Sequence, residues 1–112
     1  MNDLIPEKYR EDEELIQLTI EQLKKDFGSG FPVLQFSGQK NRLYNELTVQ
    51  VAASLVAIRK TNPLLFKSVL YRVDVTEKET TGLTDQKDCF LLAEIIIQRE
   101  FKKVITRRFF SR

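Results

Sequence analysis

Histidine is absent from the chain, and cysteine occurs once, at Cys89. Without histidine the commonest general base and the commonest transition-metal ligand are both missing. A lone cysteine excludes an intrachain disulfide and a cysteine-rich zinc site, and it fits a reducing compartment. Glycine and proline are scarce, four and three in 112 residues, which leaves few places for tight hairpins and argues for long elements. No apolar run approaches the roughly 20 residues that a membrane-spanning helix needs. The opening stretch, MNDLIPEKYREDEE, is acidic and polar, unlike a secretory or transit peptide, so the expected location is the cytoplasm and no membrane partner is expected. A net charge of +2 is too small to imply a polyanionic partner by itself.

What is present fits a single helical domain spanning 1–112. Hydrophobic residues at 42% and charged residues at 30% are ordinary globular proportions, enough for one core. The most apolar stretch is 41–60, NRLYNELTVQVAASLVAIRK, which carries no charge from Leu47 to Ile58. At helical spacing Leu43, Tyr44, Leu47, Val51, Leu55 and Ile58 share one face, while Val49, Ala52, Ala53, Val56 and Ala57 cover the other. A helix apolar on most of its circumference is expected to be surrounded, with Val51 and Leu55 fully buried. Residues 47–51 alternate like a strand, but the alanines that follow and the length favour helix.

The rest of the chain is organised around that helix. Residues 1–9 read as an extended lead-in. A first helix is expected over 10–27, with Ile16, Ile20, Leu23 and Phe27 in one stripe, acidic residues in its first turn, Lys24 and Lys25 in its last, and Gly28 at the C-cap. Residues 31–36 (FPVLQF) could pair as an edge strand or lie extended across the bundle. The glycines on either side do not make a phosphate loop, because Gly38 is followed by Gln39 where lysine is required. Asn62-Pro63 reads as an N-cap and first helical residue, opening a short helix to about Arg72 with Phe66, Val69, Leu70 and Val73 on one stripe. A strand through Val69, Tyr71, Val73 and Val75 is the competing reading. Residues 77–87 are polar and read as a surface loop, after which Thr84 or Asp85 caps a last helix to about Arg108. The main stripe of that helix is Phe90, Ala93, Ile97, Phe101, Val104 and Ile105. Three long helices and one short one give an all-α fold, a small helical bundle with a possible extended segment at 31–36.

Few residues suggest chemistry. Cys89 lies near a helix start, but Asp85 and Asp88 oppose a thiolate there and no histidine can serve as base, so a small buried hydrophobe is the better reading. Glu11 with Glu14 and Asp85 with Asp88 fall at helix starts, where carboxylates are expected in any case. Glu94 falls on the apolar stripe of the last helix and needs a partner, such as Arg59, Arg72 or a tyrosine hydroxyl, unless it reaches water. No catalytic residue, cofactor or metal ligand is assigned.

The charge is distributed unevenly. Residues 1–30 hold eight acidic against four basic side chains, whereas 97–112 hold Arg99, Lys102, Lys103, Arg107, Arg108 and Arg112 against Glu100 alone. Arg99, Lys102, Lys103 and Arg107 lie on the back face of the last helix and form a candidate anion-facing surface. Two simpler accounts compete: the helix dipole favours cations at a C-terminus, and a basic end can meet the acidic first helix. On the same helix Leu91, Leu92, Ile95 and Ile96 add more apolar surface than an edge helix requires, a candidate interface for a second copy. The function expected is therefore a non-enzymatic helical protein acting through protein–protein contacts as a homo-oligomer. The alternative is a nucleic-acid-binding accessory protein that uses the basic face, although cations alone set no sequence specificity.

Overall fold

The computed structural model describes residues 7–80 and 86–110, and among them every regular element is helical. A single turn, α1 (Glu7–Arg10), precedes α2 (Glu13–Phe27). After a 3-10 turn at Gly28–Gly30 and an extended stretch, a second 3-10 turn at Lys40–Arg42 leads into α3 (Leu43–Thr61). Then follow α4 (Pro63–Val73), a single turn α5 (Glu77–Thr80) and α6 (Gln86–Phe110). The small all-α bundle of three long helices and one short one is thus what the chain forms.

The ends of the helices follow local chemistry. Asp12 Oδ1 accepts from the backbone N–H groups of Glu14 and Leu15, at 3.0 and 3.1 Å, so α2 starts at Glu13, three residues after the expected start at residue 10. It stops at Gly28, whose φ of 61° with ψ of −135° is open to glycine and strained for other residues. Asn62 caps α4 by accepting from Leu65 N at 3.2 Å, and Pro63 follows at the first helical position. Asp74 turns left-handed at φ 72° to end α4, which bends Val75 back into the core. The polar stretch read as a loop from Glu77 begins instead with α5, held by a capping box: Thr76 Oγ1 accepts from Glu79 N, and a Glu79 carboxylate oxygen accepts from Thr76 N. The caps expected at Thr84 or Asp85 lie outside the described residues.

Residues 31–37 form no strand. They lie extended along α3, where Gln50 serves as a surrogate strand partner: its side chain accepts from Gln35 N and donates to Gln35 O, each at 2.8 Å. Ser54 Oγ donates to Gly30 O, and Glu46 accepts from Ser37 N. Phe31 meets Phe27 edge to face, with ring centres 5.4 Å apart.

The core joins Leu15, Ile16, Leu23 and Phe27 of α2 to Leu47, Val51 and Leu55 of α3, Val69 and Val73 of α4, and the inner face of α6. Val51 and Leu55 are fully buried, as their place on the charge-free run implies. The expectation that α3 is surrounded does not hold. Val49 is half exposed, and Ala53 and Ala57 face solvent, because alanine methyl groups gain little from burial and need no cover. The helix that packs against α2, α3 and α4 together is α6.

Candidate functional site at the α2–α6 seam

Helix α6 buries four residues of the stripe expected for it, Ala93, Ile97, Phe101 and Val104, but its inward face is rotated from that stripe by part of a turn. Cys89, Leu92, Ala93, Ile96, Ile97, Glu100, Phe101 and Val104 are buried, whereas Phe90 stands at the edge, 37% exposed. Of the four residues assigned to a self-pairing surface, Leu92 and Ile96 are therefore inside the single chain, at 2% and 0% exposure. They are unavailable to a second copy. Leu91 remains half exposed and Ile95 partly covered. The physical reason is that the first half of α6 is apolar all round, so its neighbours decide which side goes in.

The same rotation buries Glu100, a charge that the apolar pattern did not single out. It sits one turn from Ile96 and one turn from Val104, and its side chain is completely enclosed. Its Oε1 accepts from Lys103 Nζ at 2.8 Å, while its Oε2 is buried without a donor. The Asp26 carboxyl of α2 lies within hydrogen-bonding reach of Glu100, and Lys103 Nζ stands 3.6 Å from Asp26 Oδ2. Burial above all pushes the Glu100 carboxyl up; Asp26 adds to the rise and Lys103 opposes it, leaving it at about 7. Lys103 is itself raised: burial disfavours its charge, but Glu100 and Asp26 together more than offset that.

A hydrogen-bonded frame holds this group. Gln22 donates to Asp26 Oδ2 at 3.4 Å and accepts from Arg107 Nη2 at 2.7 Å. Arg72 Nη1 donates to the Asp26 backbone carbonyl at 3.0 Å, so α4 is tied to the same corner. Arg99 pairs with Glu79 of α5 and donates to Asp74 O at 2.7 Å. Arg108 pairs with Glu14 at 2.9 Å. The basic end of α6 thus lies against the acidic first long helix.

This geometry shows where the candidate anion-facing side chains are. Arg99, Lys102, Lys103 and Arg107 line one shallow cavity of about 610 Å³, together with Val73, Asp74 and Thr106. Lys102 and Arg107 are exposed, and Arg99 and Lys103 are partly covered. Arg99, Lys103 and Arg107 are already held by acceptors of this chain.

Glu94 has a different setting from Glu100. It is half buried at the edge of α6, beside the Tyr44 hydroxyl, which also has Gln98 as a neighbour. Burial raises the Tyr44 pKa; Arg10, whose guanidinium lies 4.7 Å from the ring centre, draws it down, and Glu94 pushes it up. Cys89 is buried at 1% exposure, a small core residue.

A second surface feature lies on α4. Leu64 and Tyr71, seven residues apart on its outer face, are 77% and 86% exposed. Beside them Phe66, Leu70, Tyr71 and Val75 form the apolar walls of a groove of about 900 Å³, edged by Lys67, Arg72 and Asp74. Phe66 and Leu70 belong to the stripe expected to face the core, whereas no helical stripe in the sequence marked Leu64 and Tyr71. Among the described residues, no helix is long and apolar enough to cross a membrane. The chain matches no family model, no curated protein and no solved structure.

Proposed function

We propose that this chain is a non-enzymatic helical protein of the cytoplasm that works through protein–protein contacts, with a second copy of itself as partner. The observation that carries this reading is the outer face of α4, where Leu64 and Tyr71 stand in water beside an apolar groove. Large apolar side chains grouped this way are costly to leave uncovered, and each would contribute roughly 1.5–3 kcal/mol on burial, before association costs. A two-fold pairing lets one patch cover its own copy. Phe90 and Leu91, the exposed large apolar side chains of α6 among the described residues, are a further patch of the same kind. The non-enzymatic part of the proposal is supported by the burial of Glu100: the carboxyl pushed towards neutrality is sealed from any substrate.

The nucleic-acid reading has less support, because Arg99, Lys103 and Arg107 would have to leave partners within the chain to neutralise phosphates. Light scattering across a dilution series tests the proposal. The expected result is an assembly at tens of micromolar that Leu64→Glu with Tyr71→Glu converts to a 13.1 kDa species. A 13.1 kDa species for the unaltered chain at those concentrations removes self-pairing. Retention on heparin that falls steeply with salt would move the assignment to the basic face.

A further inference from the structure

We propose that Asp26 and Glu100 hold one proton between them at neutral pH, and that this proton latches the C-terminal half of α6 onto α2, the seam loosening when alkaline conditions remove it. The geometry calls for such a proton. Glu100 is fully enclosed, one of its oxygens has no donor, and the Asp26 carboxyl lies within hydrogen-bonding reach of it across the seam. Two ionised carboxylates in contact repel, whereas a carboxylic acid donating to a carboxylate satisfies both. With the proton in place Glu100 is the donor, Asp26 the acceptor, and the single positive charge of Lys103 balances the single negative charge of the pair.

The groups that face Glu100 support this assignment from each side. Helix α2 brings Asp26, with Gln22 behind it on Asp26 Oδ2. Helix α4 brings Arg72, but its guanidinium is spent on the Asp26 backbone carbonyl, and its own carbonyl accepts from Lys103 at 3.4 Å. Asp74, just beyond α4, turns its carbonyl to Arg99. On α6 itself Lys103 is the direct partner, while Arg99 and Arg107 are directed to Glu79 and Gln22. Helix α3 turns Leu47, Val51 and Leu55 inward, and the charged groups that act on Glu100 are Asp26 and Lys103. Loss of the proton to solvent leaves two negative charges and one positive charge in an enclosed site. That state is relieved when the end of α6 lifts and admits water. The elevated titration of Glu100 agrees with this arrangement.

Carbon-13 NMR of the side-chain carboxyls across pH 4 to 9, on the full chain, tests the latch. One carboxyl should titrate near 7 and disappear in Glu100→Gln, with hydrogen exchange along the end of α6 rising as that titration completes, beyond the intrinsic pH effect. Glu100→Gln should hold α6 protected to the alkaline end. In case that variant fails to fold, Asp26→Asn should move the Glu100 titration down by about a unit, because the neighbouring charge is gone. A Glu100 titration at the ordinary carboxylate value, or one that Asp26→Asn leaves in place, overturns the shared proton. Protection of α6 that falls equally in wild type and Glu100→Gln overturns the latch.

Discussion

Gly28 shows how much one residue's backbone decides. At φ 61° and ψ −135° it occupies a region that side chains avoid, yet there is space for a methyl group, since the nearest atom to an added Cβ is Arg72 Nη1 at 3.9 Å. Gly28→Ala should therefore cost about 1–3 kcal/mol through backbone strain alone, measured by urea unfolding. A loss below about 0.5 kcal/mol would mean that the turn relaxes freely. Leu55 tests the packing of the core. It is fully buried in α3, and Leu55→Ala should cost about 2–5 kcal/mol. Leu55 and Gly28 were legible in the sequence, the one from a charge-free apolar run and the other from its position after Lys24 and Lys25. The buried carboxylate was not. Glu94 interrupts the apolar stripe as written, but it is Glu100 that goes inside, because burial follows the partner surfaces of α2 and α4. The spacing that could have revealed it is Ile96, Glu100, Val104, with Lys103 one turn on to share the charge.

At the scale of elements, starts and stops were easier to read than faces. Asn62-Pro63 and the acidic run before α2 state their roles locally, as does the Thr76 to Glu79 capping box that marks α5. A face is a relation between helices, and a segment apolar all round leaves it open. This is why the inward side of α6 was misplaced by part of a turn, and why α3, rich in alanine, looked more enclosed than it is. Neighbouring leucines separate the two versions of α6. Leu92→Ala should cost about 2–5 kcal/mol and Leu91→Ala less than about 1 kcal/mol, since Leu92 is enclosed and Leu91 half exposed. Equal losses at the two positions would return the helix to its expected orientation.

At the scale of the whole molecule, the sequence's acidic beginning and basic end meet along α2 and α6, and the exposed Arg108–Glu14 pair there contributes little by itself. The stronger electrostatic effect is the pH profile. Glu100 is raised from 4.5 to about 7 in the folded chain, so ionising it costs more folded than unfolded. Its effect on stability is neutral well below pH 4.5, turns unfavourable as pH climbs from there to 7, and then levels off at about 3 kcal/mol for a fully sealed site. Glu79 works in the opposite sense. The Thr76 N–H first, and Arg99 after it, hold its carboxyl below the usual value despite partial burial, so its contribution is present above that value and fades as pH falls through the lowered one. Lys103 stays charged throughout this span, because its own pKa is raised. Acid therefore loosens α5 from α6, alkali loosens α6 from α2, and the fold should be most stable near pH 5. Urea midpoints measured from pH 3 to 9 should trace that dome, with the decline from 5 to 7 missing in Glu100→Gln. A wild-type midpoint that climbs steadily from pH 5 to 8 would show that Glu100 reaches water and that the α2–α6 seam is open.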